Sequence, residues 1–213
     1  MNARFMDVEL LVERGVLVPR EETELLGNTA LALLPPKALL IDMCCGSGNL
    51  ACAIASRRPD VRIWASDLTD ACASLARKNA AHLGAAERVT VVQGDLFSAL
   101  QDLEGTIDLV VCNPPYISRA KLAGERAVLL ANEPREAFDG GPYGLSIHQR
   151  VVREALPFLK PGGWLLFEIG LGQERQVRML FERTRAYEDL RTVANAAGEV
   201  RVIAGRKINP KGN

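Results

Sequence analysis

An almost wholly apolar stretch, Ala38 to Met43, runs straight into Asp42-Met43-Cys44-Cys45-Gly46-Ser47-Gly48-Asn49 and then into a helical pattern from about Leu50 to Arg58. No other part of the chain restricts the fold so tightly. A continuous apolar run of strand length suits a strand buried on both faces. The glycines behind it let the backbone approach a ligand closely, and the helix N-terminus that follows presents free N–H groups. Strand, glycine-rich turn and helix in this order open a βαβ unit of the nucleotide-binding kind, and so predict an α/β chain with a mostly parallel sheet and helices on both faces.

The rhythm repeats downstream. Val61 to Ala65 is a short strand ending at Asp67, and Thr69 can cap a helix whose apolar stripe is Leu68, Ala71, Cys72, Leu75, Ala76 and Leu83. Val89 to Val92 is a third strand, followed by Asp95, Leu96 and Phe97, and the β-branched run Ile107 to Cys112 delivers Asn113. Gly46, Gly48, Asp67, Asp95 and Asn113 therefore fall just beyond the C-terminal ends of successive strands, the edge where open parallel sheets bind ligands. Upstream, Asp7 to Val12 and Val16 to Val18 read as a hairpin around Glu13-Arg14-Gly15, and Pro19 opens a helix with an acidic first turn that Pro35-Pro36 stops. Farther on, the irregular segment from Ser118 to Gly144 reads as a lid. It is followed by a helix from Leu145 to Leu159, a turn at Lys160-Pro161-Gly162-Gly163, a strand from Trp164 to Ile169, a helix near Gln173 to Arg183, and two last strands near Leu190 to Val193 and Glu199 to Ile203. The expected division is a hairpin extension over 1–20, one catalytic domain over 21–206 and a tail over 207–213.

Composition narrows the partners. Lys plus Arg and Asp plus Glu number 26 each, which argues against a protein that holds nucleic acid through phosphates; Arg57, Arg58, Arg62, Arg206, Lys207 and Lys211 read as solvated surface. Contact with nucleic acid is expected only through a bound protein or a ribosomal complex. No apolar run reaches the length of a membrane span and Met1 to Met6 shows no signal-peptide core, so no membrane partner and a cytoplasmic location are expected. The cysteines at 44, 45, 52, 72 and 112 lack paired spacing and lie in or beside apolar runs, which reads as small buried thiols rather than disulfides or a metal site. His82 and His148 read as surface or core residues.

Asn113-Pro114-Pro115-Tyr116 concentrates four properties at the end of its strand. Asn113 offers an amide with an acceptor and donors, the prolines stiffen the neighbouring carbonyls, and Tyr116 supplies a flat face and a hydroxyl. Such a set can hold a planar NH2 by accepting its two hydrogens and leave the lone pair aimed at an electrophile. A rigid turn is the blander account of the same residues. The glycine loop with Asp67 also fits a dinucleotide site. However, Asp42 within the strand can receive an amino group and Asp95 after the third strand can reach an adenine. A ligand with ribose, adenine and an ammonium group but no pyrophosphate is S-adenosylmethionine.

Val16 to Glu24, the Asp42 to Gly48 loop, Asn113 to Tyr116, Glu133-Pro134-Arg135, Asp139-Gly140-Gly141 with Gly144-Leu145, and Lys160 to Gly163 with Glu168-Ile169-Gly170 stand in the order found in protein-(glutamine-N5) methyltransferases of the HemK/PrmC type, which the chain resembles from about Asp7 to about Arg206. The resemblance implies a Rossmann-like sheet of seven strands with the last antiparallel, S-adenosylmethionine as cofactor, and a glutamine side-chain amide of a protein as methyl acceptor. It implies further that Cys44, Cys45, Gly46, Ser47 and Gly48 cradle the methionine part, that Asp67 binds the ribose, that Asp95 and Leu96 flank the adenine, and that Asn113, Pro114, Pro115 and Tyr116 hold the acceptor amide. The chain departs from the pattern in two residues: Glu21 stands where the family has proline, and Cys44 replaces the first loop glycine, where φ below zero is expected. The family's N-terminal helical domain has no counterpart in this sequence, which leaves the release factor as one candidate acceptor beside small-molecule amides or amines and exocyclic amines of nucleic acids.

Overall fold

The computed structural model describes residues 2–124, 130 and 133–209. Residues 125–129, 131 and 132 of the expected lid and 210–213 of the expected tail, Lys211 among them, lie outside the described residues.

A seven-stranded sheet forms the centre. Its strands are β3 (Leu39–Met43), β4 (Arg62–Asp67), β5 (Val89–Gln93), β6 (Ile107–Cys112), β7 (Leu159–Glu168), β8 (Tyr187–Ala194) and β9 (Val200–Lys207). They lie in the order β5-β4-β3-β6-β7-β9-β8. All neighbouring pairs are parallel except those of β9, which runs antiparallel to both β7 and β8. The first strand of the sheet thus sits in its middle, and the chain moves outward first to one side and then to the other. That change of direction opens a crevice at the carboxyl ends of β3 and β6.

Alternation along the central strands divides the core. Leu40, Leu109, Val111 and Leu166 face one side, against α1 (Glu24–Leu33), α2 (Asn49–Arg57) and α3 (Asp70–His82). Ile41, Met43, Val110, Cys112, Leu165 and Phe167 face the other, against α5 (Ser146–Glu154) and α6 (Glu174–Thr184). Burial on both faces is why these strands read as unbroken apolar runs. Leu34, next to Pro35, is extended and ends α1. Thr69 caps α3 as expected, its side chain accepting from the Cys72 N–H. Leu68 lies outside the buried stripe, 59% exposed, and the inward face of α3 is Cys72, Ala73, Leu75, Ala76, Asn79 and Ala80.

A hairpin does precede the sheet, but not at the expected place. Its strands are β1 (Asn2–Phe5) and β2 (Val8–Leu11), joined at Met6 and Asp7, both with positive φ. This is the two-residue turn pattern that matches strand twist; Gly15, the apparent turn signal, lies beyond the hairpin. Two anchors, half-buried Glu24 and buried Asn79, hold the hairpin down. Glu24 of α1 accepts from the Met6 N–H, and Asn79 of α3 both donates to and accepts from the backbone of Leu11 while donating to the Ser47 carbonyl. Asn79→Ala strands these backbone groups and is expected to cost about 3 kcal/mol, read as a shift of the urea midpoint without change of slope.

The helix expected over Leu145 to Leu159 stops at Glu154, and β7 begins already at Leu159. Its pairing with β6 jumps from Ile107↔Leu159 to Leu109↔Trp164. Lys160-Pro161-Gly162-Gly163 is therefore a bulge within a strand, not a turn before one. Among the described residues no helix is long and apolar enough to cross a membrane.

Candidate active site

Met43 pairs with Cys112 across β3 and β6, so the glycine loop and the Asn113 tetrapeptide leave adjacent strand ends together. Asn113 stands between two cavities. The smaller, about 30 Å³, is lined by the loop residues Cys44, Cys45, Gly46 and Ser47 together with Thr23 and Leu50. The larger, about 650 Å³, is lined by Pro114, Tyr116, Glu22, Glu168, Gln173 and Arg201 among others. Leu17, Arg20 and Asn113 line both. One side chain thus borders a loop shaped for a ligand and a cleft large enough for a second reactant.

The loop has the properties of a cradle. Gly46 has φ +54° and nothing within 4 Å of the place a Cβ would occupy, so backbone lies open to a ligand there. Cys44 also has positive φ, 59°, contrary to the expectation of a negative value. The turn, held by Cys45 N–H to the Ser66 carbonyl and Gly48 N–H to the Cys45 carbonyl, imposes the left-handed conformation on whatever residue occupies it. Carrying a Cβ in that conformation costs about 1–2 kcal/mol. Asp67 accepts from the Gly46 N–H at 2.9 Å and from the Thr69 N–H at 3.2 Å, tying the end of β4 to the loop. All five cysteines are free thiols.

Asp42 lies beneath the loop, 1% exposed, with Oδ2 accepting from the Ala51 N–H and Oδ1 without a partner. Burial raises its pKa to about 7, against the lowering hydrogen bond from Ala51. The folded state keeps a proton that the unfolded chain has lost above about pH 4, so stability falls as pH rises from about 4 to about 7. Buried His148, lowered to about 4 by desolvation, acts oppositely. The difference between parent and Asp42→Asn isolates Asp42: the variant is expected to lose on the order of 3 kcal/mol of this pH dependence, measured by denaturant unfolding at pH 5 and pH 8.

Asp95 and Leu96 do not join the two cavities. Asp95 is on the surface, its side chain 57% exposed and paired with Arg150 at 2.9 Å. Leu96 is buried with φ 51°, and its carbonyl accepts from the Ser66 hydroxyl.

The acceptor side is held by residues that the periodicity of the sequence did not single out. Asn113 Nδ2 donates to the Thr23 hydroxyl at 3.1 Å. Tyr116 donates to Glu168 at 3.1 Å and accepts from Arg201 at 3.2 Å, and Arg201 also lies 3.3 Å from Glu22 and 3.5 Å from Glu168. Glu168 and Arg201 are buried, at 1% and 8% exposure. Burial raises the pKa of Glu168, with Thr23, Arg201 and Tyr116 opposing, and raises that of Tyr116 as well. Gln173 donates to the Tyr116 and Gly144 carbonyls and accepts from the Gly170 N–H.

The expected lid is, where described, built onto the tetrapeptide. Ile117 exchanges backbone hydrogen bonds with Phe138 and Gly140, Asp139 is clamped by Arg119 and Arg135, and Glu133 takes the Val18 N–H and pairs with Arg20. A short helix, α4 (Arg119–Ala123), occupies its start. Gly144 has φ +74°, and a Cβ there would stand 2.3 Å from the Tyr116 carbonyl oxygen. Gly144→Ala is expected to displace the Tyr116 peptide and lower turnover at least tenfold, with a smaller loss if Tyr116 can shift as a unit; steady-state kinetics beside a thermal melt separates the two. Among the described residues no three His, Cys, Asp or Glu side chains group as a metal site.

Comparison with known proteins agrees with this geometry. Residues 23–141 match the model of the Methyltransferase small domain. The chain is 38% identical over 202 residues to the release factor glutamine methyltransferase of Geobacter sulfurreducens, covering 95% of this chain and 69% of that protein. Among solved structures, the release factor-specific protein-(glutamine-N5) methyltransferase of Alicyclobacillus acidocaldarius superposes with a TM-score of 0.53 at 27% identity, over 90% of this chain and 94% of the other. An RNA methyltransferase of Salinibacter ruber in complex with S-adenosyl-L-homocysteine shares the fold, with a TM-score of 0.55 at 18% identity over 93% and 96% of the two chains.

Proposed function

This chain belongs to the release factor glutamine methyltransferase family, and from that premise we propose that it methylates the side-chain amide nitrogen of a glutamine presented by a protein, a release factor being the first candidate. S-adenosylmethionine is the methyl donor this reading requires, and the residues present fit it: the open Gly46 backbone, the unpartnered Oδ1 of buried Asp42 for an ammonium group, and the carboxylate of Asp67 at the strand end. Bound there, it would supply an electrophilic methyl group. The resemblance assigns Asp95 and Leu96 to the adenine, but neither lines either cavity, and Asp95 is paired with Arg150 on the surface.

The observation that carries the reading is the place of Asn113 between the glycine-loop cavity and the cleft, with its NH2 already committed to Thr23. Its Oδ1 and the Pro114 carbonyl accept no hydrogen bond from another described residue. These two acceptors suit the two hydrogens of a planar amide. An amide nitrogen is a poor nucleophile because its lone pair is delocalised, so steering the hydrogens raises its reactivity without a strong base, and positioning and electrostatics supply most of the acceleration. Pro115 stiffens the acceptor carbonyls, and Tyr116, fixed by Glu168 and Arg201, walls the cleft. The proposed unit for this chemistry is the domain over 21–206, with the N-terminal hairpin as a brace.

The test is mass spectrometry of a purified release factor after incubation with the enzyme and isotopically labelled S-adenosylmethionine. One labelled methyl on a glutamine side chain is the expected product. Label found only on nucleic acid or on small molecules overturns the reading.

A further inference from the structure

We propose that His148 is a positioning residue of the acceptor cleft: its Nε2–H supplies the hydrogen bond that proline at position 114 withholds from the end of β7, and so fixes the peptide that carries Glu168 into the cleft. Two ladders decide where the Glu168 carbonyl points. On the β9 side the Ile169 N–H donates to the Arg201 carbonyl, so these two residues form a hydrogen-bonded pair, and the pair before it, Glu168 with Val202, is a non-hydrogen-bonded one. The Glu168 carbonyl therefore turns to β6. There the parallel register Cys112↔Phe167, continued by one residue, sets Asn113 opposite Glu168 and would bring the N–H of position 114 to that carbonyl. Proline has no N–H, and a buried carbonyl left without a donor is destabilising.

His148 fills the gap. It stands in the first turn of α5, 0% exposed, with Nε2 3.1 Å from the Glu168 carbonyl oxygen. A carbonyl only accepts, so Nε2 carries the proton, and Nδ1, buried without a partner among the described residues, carries none. Desolvation holds the pKa of the ring down to about 4, so at pH 7 it is neutral and keeps this one proton. The Phe167 ring, 4.9 Å away between centroids, packs against it. The peptide held in this way governs Tyr116 from two directions. The Glu168 side chain accepts from the Tyr116 hydroxyl at 3.1 Å, and two residues on, the Gly170 N–H donates to Gln173, which donates in turn to the Tyr116 and Gly144 carbonyls. The prolines release the tetrapeptide from the ladder so that its own carbonyl can face the cleft, and a helix on the other side of the chain provides the donor that the ladder loses. The consequence for turnover rests on the amide-methylation reading, whereas the hydrogen bond itself does not.

The experiment compares two variants with the parent in the methylation of a purified release factor. His148→Phe keeps a flat ring against Phe167 but has no donor, and His148→Gln loses the ring but can set its NH2 where Nε2 stands. His148→Phe is expected to lower kcat about tenfold, as for loss of one buried hydrogen-bond partner, with KM and the affinity for S-adenosylhomocysteine within about threefold of the parent. His148→Gln should keep kcat within about threefold of the parent, although it melts at a lower temperature. Nitrogen-15 NMR gives a readout independent of turnover. The ring signals of His148, told from those of His82 by their loss in both variants, should show a slowly exchanging proton on Nε2 and none on Nδ1. The Gly170 amide signal should move in His148→Phe and stay in place in His148→Gln. A proton on Nδ1, full turnover by His148→Phe, or equal loss of kcat in the two variants overturns the proposal. Should His148→Phe fail to fold, the tautomer of the parent and the turnover of His148→Gln still decide. A parent enzyme inactive on every glutamine-presenting protein would sink the functional reading, while the tautomer and the Gly170 signal still judge the hydrogen bond.

Discussion

Asn113→Ala is expected to slow methyl transfer by about 10²–10³-fold, the usual effect of removing one preorganised partner that acts on the reacting group in the transition state. The substitution deletes the Oδ1 acceptor at the boundary between the glycine loop and the cleft, and leaves only the Pro114 carbonyl to steer an amide. The fold should tolerate the change. Asn113 is half-buried and gives up one hydrogen bond, to Thr23, so the stability cost is expected to stay near about 1 kcal/mol. Affinity for S-adenosylmethionine should fall no more than severalfold, because the loop from Cys44 to Gly48 is organised by its own turn and by Asp67. The informative measurement is the single-turnover rate at saturating cofactor beside calorimetric binding of the same cofactor. A variant that binds normally and turns over fully leaves Asn113 without the role assigned to it.

A large and pH-dependent loss of stability is expected for Arg201→Leu. Arg201 and Glu168 have side chains only 10% and 2% exposed, and removing one partner of a buried pair strands the other. A loss of about 3 kcal/mol is expected at pH 8. It should shrink as the solution is acidified. The pKa of Glu168 is already raised by burial, and without the guanidinium it rises further. Below that raised value the folded state holds a proton and no longer buries a lone charge, so the penalty appears only as pH climbs through it. Glu168→Leu/Arg201→Leu is expected to recover most of the loss, since apolar replacement of both members of a buried pair is often neutral or stabilising. It should not recover turnover, because Tyr116 loses the partners that orient it. Urea denaturation of the parent, Arg201→Leu and the double variant at two pH values checks the whole set; a double variant as unstable as Arg201→Leu refutes the account.

What could be read from the sequence was what local chemistry specifies. Ile107–Cys112 is a strand because its β-branched residues are buried on both faces, and Thr69 caps α3 because its side chain can reach the Cys72 N–H. The glycine loop and Asn113 come together because both follow adjacent parallel strands. The misplaced hairpin shows the converse: Met6 and Asp7 accept positive φ with no glycine, and their anchor is Glu24, a contact that spans the intervening chain. Lys160 to Gly163 has every mark of a turn, and it does interrupt pairing, but β6 supplies partners on both sides of it. Arg201 was hidden for a related reason. It is one of three basic residues in β9, and only the pairing of β7 with β9 sets it beside Glu168. Thr23 lies in the stretch read only for its acidic helix start, and it becomes a partner of Asn113 only through a contact across ninety positions.

The reversed direction of β9 has a consequence for how this protein is made. Because that strand runs against its neighbours, its first residues, not its last, reach the edge where β3 and β6 end, and Arg201 arrives beside Glu22, from the turn before α1, and Glu168. A nascent chain can lay down the central strands and the glycine loop in order as they emerge. Glu22, Tyr116 and Glu168 must wait for Arg201. The charge balance of the cleft is thus completed only once β9, the last strand of the sheet in chain order, has been synthesised, so a chain stopped before it carries the Asn113 tetrapeptide without the cation that steadies Tyr116. Catalytic competence in such a molecule serves as a report on whether translation of the strand was finished.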